Sequence, residues 1–243
     1  MLFDTLTFVA ALLAGAVAAV AGFGIGSLLT PLFAFKMETK LAVAAVSCAH
    51  LAGTALRFWL LRRHVDRDLL LAFGLMSAAG GLAGALLHTW AENIILTVIF
   101  GLLLLFAGIS GITGLATRMR FTGWMSWMAG MLSGLLGGLV GTQGGIRSEA
   151  MLGFELPKKT CVATATAIAL IVDGARMPVY LATRGSDLIP HWPLILAATA
   201  GVLAGTLAGG KILTRIDESI FRRIVSVIIT ILGIAVLSGA ATK

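Results

Sequence analysis

The sequence predicts an all-α membrane protein of two inverted repeats, each a broken or re-entrant Gly-rich helical hairpin followed by three transmembrane helices. Three observations lead there. Charged residues are 12% of the 243 and hydrophobic ones 58%, with mean hydropathy +1.00; a soluble domain carries roughly twice that share of charge. Apolar runs about as long as one bilayer crossing recur along the whole chain. The chain also matches itself when shifted by 119 residues.

The apolar runs fall at about 5–35, 41–61, 69–88, 93–116, 122–140, 146–156, 160–182, 191–213 and 220–240. Most fit a single helical span. The first is too long for one crossing and is interrupted by Gly22, Gly24, Gly26 and Pro31. The stretch 122–156 is interrupted by Gly134, Gly137, Gly138, Gly141, Gly144 and Gly145. Bunched glycines inside an apolar run read as a helix, a break and a shorter helix. Close helix packing of the small-xxx-small kind is the other reading for Gly22/Gly26 and Gly134/Gly138.

The 119-residue shift aligns 22–69 with 141–188 without a gap, and ten of the 48 pairs are identical. They include Gly22/Gly141, Gly26/Gly145, Lys40/Lys159, Arg57/Arg176 and Asp68/Asp187. A slightly larger shift continues the match, setting Gly80 and Gly84 against Gly201 and Gly205. The chain therefore divides into repeats 1–121 and 122–243, with no soluble domain.

Loop charge orients the repeats. If each broken segment returns to the side it entered from, each half makes three crossings and the halves are inverted. Arg62, Arg63, Arg67, Arg118, Arg120, Lys158, Lys159, Lys211, Arg215, Arg222 and Arg223 then share one side, against Lys36, Lys40, Arg184 and Lys243 on the other. Eleven against four is a positive-inside signal that puts both termini outside. The net charge of +7 is accounted for by these loops, so it does not point to nucleic acid. The first charge is Asp4 and the first basic residue Lys36, so no cleaved secretory signal is expected and the first span stays in the mature protein.

Arg57, Arg147 and Arg176 remain inside apolar or hairpin segments. Intramembrane charge is costly and tends to line a pathway or to pair internally. Arg176 lies nearly two turns inside its segment, before a polar loop at Thr183-Arg184-Gly185. It either binds substrate, with its mate Arg57, or pairs with Asp173 three residues earlier. His50, Thr54 and Arg57 make a polar stripe on one helix, and Thr166, Asp173, Arg176 and Tyr180 make another. His50 and Asp173 are the candidates for proton coupling, with hydrogen-bonded packing and pairing to Arg176 as their structural alternatives.

An anion site is expected between the two breaks. Backbone N–H groups at the start of a half-helix attract anions, and Gly lets the ligand approach. The substrate-binding candidates are Gly24, Gly26, Ser27 and Arg57 in the first half, and Gln143, Gly144, Gly145, Arg147 and Arg176 in the second. Arg147 either adds positive charge there or pairs with Glu149. Cys48 and Cys161 lie in apolar runs and read as small packing residues. His64, His88 and His191 lack ligand-spaced partners, and no nucleophile elbow is present, so neither metal, cofactor nor enzyme activity is expected.

The run Ala21-Gly22-Phe23-Gly24-Ile25-Gly26-Ser27-Leu28-Leu29-Thr30-Pro31-Leu32, with a second Gly-rich copy at Gly134 to Gly145 and then Leu156-Pro157-Lys158-Lys159-Thr160-Cys161-Val162-Ala163-Thr164, resembles the TauE/SafE sulfite exporter family. The resemblance extends over nearly the whole chain. It implies a multi-pass permease of a bacterial or archaeal inner membrane, moving sulfite or an organosulfonate. The residues themselves argue for a secondary carrier of a small anion surrounded by lipid and coupled to an ion gradient. An integral membrane enzyme and an anion channel are the alternatives, and homo-oligomerisation is left open.

Overall fold

The computed structural model describes residues 2–114, 124–142, 147, 156–212 and 218–241, and all regular structure among them is helical. In chain order the helices are α1 (Leu2–Ala21), α2 (Ile25–Ala34), α3 (Thr39–Leu61), α4 (Arg67–Trp90), α5 (Asn93–Thr113), α6 (Trp124–Val140), α7 (Lys158–Leu188), α8 (Trp192–Ile212) and α9 (Glu218–Ala241). Single 3-10 turns, Arg62–His64 and Ile189–His191, follow α3 and α7. Among the described residues six stretches are long and apolar enough to cross a membrane, and one of them, Lys159–Gly209, runs through both α7 and α8.

Local chemistry marks several helix ends. Asp66 caps α4 by accepting the Leu69 N–H at 2.8 Å, one of the donors that the first turn leaves without an intrahelical partner. Gly114 closes α5 in the left-handed region, φ 66, and donates its N–H to the Ser110 carbonyl at 2.8 Å. The polar loop expected at Thr183-Arg184-Gly185 is instead helical, because α7 continues to Leu188. Arg184 and Asp187 pair across one turn at 3.0 Å, and the Thr183 hydroxyl donates to the Val179 carbonyl at 2.8 Å. Side chains at i and i+3 meet on a helix surface, so this polar run supports the helix it was expected to end.

The closest helix pairs are α4 with α6, α1 with α8, and α5 with α9, while α7 packs on both α3 and α4. The small residues explain how close they come. A Cβ on Gly84 would lie 2.0 Å from the Leu135 carbonyl oxygen, and one on Gly205 would lie 1.9 Å from that of Leu12. One on Gly80 would meet Met131 O at 2.1 Å, and one on Gly201 would meet Phe8 O at 2.6 Å. These are the same contacts exchanged between halves. Gly201 and Gly205 follow Gly80 and Gly84 by 121 residues, and Met131 and Leu135 follow Phe8 and Leu12 by 123.

The exchange also exposes a difference. Gly205 abuts Ala16 and Gly84 abuts Leu139, yet beyond those paired positions α1 runs to Ala21 while α6 stops at Val140. The first broken helix is longer there by four residues, about one turn. What replaces the missing turn in the second half is polar, and it belongs to the site.

At Gly84 and Gly205 even a methyl group overpacks backbone, so Gly84→Ala and Gly205→Ala should each cost about 1–3 kcal/mol. Nothing lies within 4 Å of a Cβ on Gly185, so Gly185→Ala should be neutral or slightly stabilising. Thermal unfolding of the detergent-purified variants checks this; three equal midpoints would contradict the packing.

Candidate functional site

Two interruptions in helical backbone face each other at the centre of the fold. Gly22 (φ 79) and Gly24 (φ 128) separate α1 from α2, and Gly141 (φ 76) follows α6. L-residues rarely adopt such angles, so the break needs glycine at the mate positions Gly22 and Gly141. The two breaks touch. A Cβ on Gly26 would lie 2.4 Å from the Gly141 carbonyl oxygen, and the hydroxyl oxygens of Ser27 and Thr142 are 2.8 Å apart.

Beside this contact is a small, partly open cleft. Gly22, Phe23, Gly24, Gly26 and Ser27 line it from one break, Gly141, Thr142 and Arg147 from the other, and His50 and Ala169 from α3 and α7. The N–H groups of Ile25, Gly26 and Ser27, in the first turn of α2, have no acceptor within the helix. Pro31, inside α2, has no N–H, which leaves the Ser27 carbonyl without its partner one turn on.

Around the cleft lies a group of buried ionisable side chains. Arg57 and Arg147 are each 2% exposed, and Arg176 and Asp173 are fully buried. Asp173 has both oxygens engaged. Oδ1 accepts from Arg176 Nε at 3.0 Å and lies 2.7 Å from its Nη2, while Oδ2 is 2.7 Å from His50 Nδ1. The Thr54 hydroxyl is 3.3 Å from the same nitrogen. Arg176 is thus a paired arginine, as one of its two sequence readings held, and its Nη1 donates to the Gly137 carbonyl at 2.6 Å.

That last bond is one of three. The Tyr180 hydroxyl donates to the Gly138 carbonyl, and His88 Nδ1 lies 2.7 Å from the Leu139 carbonyl oxygen. Arg176, Tyr180 and His88 therefore satisfy three successive carbonyls at the end of α6. A helix carboxyl end is the negative pole of its dipole, and a guanidinium there is favourable. These side chains tie down the carboxyl end of α6, from which the second break starts.

The other two arginines are differently placed. Arg57 Nε donates to the Thr166 hydroxyl at 2.9 Å, but its Nη1 has no partner. Arg147 Nη1 donates to the Ala165 carbonyl at 3.2 Å, and its Nε and Nη2 have none. Among the described residues here, three guanidinium groups face one carboxylate, and three N–H-bearing atoms on two of those groups are buried and unused. Burying charge without a partner is strongly unfavourable. The arrangement asks for an anion.

Of the residues singled out from sequence, Gly24, Gly26, Ser27, His50 and Arg147 line the cleft. Arg57, Asp173 and Arg176 are buried in the surrounding network. Gln143, Gly144 and Gly145 lie outside the described residues, as does Glu149, the alternative partner of Arg147. Sequence reasoning gave no ligand role to Thr142 and no structural role to His88. A signal existed for His88, whose repeat mate is Gly209, and Tyr180 is the only tyrosine in the chain. Among the described residues no group of three His, Cys, Asp or Glu side chains could hold a metal ion. Cys48 and Cys161 are free thiols.

Removing Asp173's charge strands Arg176, so Asp173→Asn should destabilise the fold by about 3–5 kcal/mol, the usual cost of breaking a buried pair. Arg147→Gln removes a charge that has no ion pair among the described residues and should leave stability unchanged or improved. Heat denaturation of the two purified variants compares them; equal losses would contradict the division between paired and unpaired arginines.

A family model described as Sulfite exporter TauE/SafE matches residues 7–236. No curated protein matches the chain, and no solved structure does.

Proposed function

The chain belongs to the TauE/SafE sulfite exporter family, and from that premise we propose that it is a secondary transporter whose substrate is a small sulfur oxyanion or organosulfonate bound between the two Gly-rich breaks. The observation that carries the reading is the set of unused buried donors on Arg57 and Arg147 beside a cleft lined by Ser27, Thr142 and glycine backbone. Family membership supplies the membrane, the transport and the sulfur. The unmatched guanidinium groups supply the negative charge of the cargo. A sulfonate or sulfite presents three oxygens, enough to accept from a guanidinium fork, a hydroxyl and the orphan N–H groups of α2 together.

The proposed division of labour differs between the arginines. Arg147 contacts the anion from the cleft wall and Arg57, buried behind that wall, adds positive charge, with Gly24, Gly26, Ser27 and the segment Gln143 to Gly145 completing the site. Arg176 holds the break that presents it. The repeats 1–121 and 122–243 are proposed to be inverted copies, supported by the exchanged glycine contacts of α4 with α6 and α8 with α1. Equivalent breaks then meet about a pseudo-twofold axis, the arrangement through which carriers alternate access.

Orientation follows the basic loops. The proposed setting is the inner membrane of a bacterium or archaeon, with the Arg62–Arg67 side cytoplasmic and both termini outside. Exposed Trp59 at the end of α3 stacks under Arg62 at 3.6 Å. Trp90 is 83% exposed at the opposite end of the next helix. Amphipathic rings favour the two membrane–water interfaces, so both settle the chain across one bilayer. Cysteine labelling that put Arg62 and Lys243 on one side would overturn this orientation.

Proteoliposomes test the function. Wild type should show saturable, gradient-driven uptake of labelled sulfite, and Arg57→Gln and Arg147→Gln should each weaken its apparent affinity more than about tenfold. A lost charge-assisted bond of roughly 1.5–3 kcal/mol gives that factor. Unsaturable flux would make the protein a channel. Unchanged affinity in both folded variants would remove the arginines from the site.

A further inference from the structure

Deepening the transport reading, on which it rests, we propose that the carrier binds a proton with each anion, and that His50 is the group that takes it. The geometry separates two side chains that share one hydrogen bond. Asp173 is fully buried, is absent from the cleft wall, and has its oxygens occupied by Arg176 and His50. It is held as an anion by a guanidinium that it cannot leave without stranding it. His50 lines the cleft with its side chain 11% exposed, and its Nδ1 lies 2.7 Å from Asp173 Oδ2. An ionised carboxylate only accepts, so the proton of this bond resides on Nδ1. The lone pair of the neutral ring is then on Nε2, the nitrogen without a partner among the described residues. Asp173 is the positioning residue, and His50 is the base it aims at the cleft.

The charges facing His50 couple the two ligands. Arg57 is on the same helix, Asp173 and Arg176 come from α7, and Arg147 shares the cleft wall. Helix α2, which also packs on α3, has no ionisable side chain, and α8 has none before Lys211. In the empty site a proton on Nε2 would add a positive charge where, among the described residues, three guanidinium groups are balanced by one carboxylate. An anion in the cleft offsets that excess, and the imidazolium formed gives it one more charged N–H donor. The step is a single proton transfer: the Nε2 lone pair forms an N–H bond with a proton from the solution on the side to which the cleft is open. Because binding linkage is reciprocal, whatever factor the proton adds to anion affinity, the anion adds to proton affinity.

The consequence is an anion that travels with a proton, so its movement draws on the proton gradient. Apparent anion affinity should fall by about tenfold for each unit of rising pH over the range in which one whole proton is taken up. Methanesulfonate is the informative probe, because it stays fully ionised near neutral pH and any proton taken up belongs to the protein. Calorimetric titration of the full chain in detergent, repeated in two buffers of different ionisation enthalpy, counts protons per bound anion. Wild type should take up close to one, with sulfite as a second probe once its own protonation is subtracted. His50→Gln keeps an amide donor at the cleft, so it should still bind the anion, take up no proton and show a flat pH profile. Binding by wild type without proton uptake would overturn the proposal while leaving the transport reading intact. Undiminished proton uptake by a folded His50→Gln protein would overturn the assignment to His50. If neither probe binds at any pH, the transport reading fails and this proposal fails with it.

Discussion

A buried charge in a membrane protein must find an opposite charge, and that constraint organises the centre of this molecule. Asp173 is fully buried and meets Arg176 at 2.7 Å, which resolves one positive charge in the interior. The same guanidinium reaches the Gly137 carbonyl at 2.6 Å, so the ion pair is bolted to the end of α6 and fixes where the second helix break occurs. Tyr180 and His88 extend that hold to the next two carbonyls. Everything that the second break presents to the cleft, Thr142 and Arg147 included, depends on this anchored end.

Matching glycine contacts recur in the two halves of the sequence, but the polar side chains differ. Helix contacts of the halves exchange one for the other, but α1 runs about a turn further than α6, Tyr180 has Leu61 as its mate and His88 has Gly209. The first break has only backbone and Ser27 to offer. Chemistry is therefore unequally divided across a nearly symmetric frame. His50 faces the cleft where its mate Ala169 is inert, and Thr142 faces it where its mate is Phe23.

Much of this was legible in the sequence, for reasons that differ by level. Helix positions followed from apolar run length, and the two breaks from bunched glycines, where positive φ at Gly22, Gly24 and Gly141 ends the helix while Gly134 and Gly138 stay inside α6 and pack closely on α4. The repeat was readable because Arg57 and Arg176 are too costly in an apolar helix to coincide idly. What periodicity could not supply was partnership. Arg176 and Arg57 look equivalent as mates, yet one has Asp173 within its own helical turn and the other has Thr54 at the mate position, and only the first is neutralised. Helix α7 outran its expected end because Arg184 and Asp187 look like loop residues until their i, i+3 spacing is read as a pair. Thr142 needed the fold: nothing local announces that it meets Ser27 from 115 positions away.

The central claim is that an anion is the absent counter-charge of Arg57 and Arg147. A structure determined with selenite, a heavier analogue of sulfite whose selenium scatters anomalously, tests it most directly. The account places the selenium peak in the cleft between the two breaks, with its oxygens within hydrogen-bonding distance of Arg147 and the Ser27 and Thr142 hydroxyls. A peak confined to the Arg62–Arg67 surface, with the cleft empty, would contradict it.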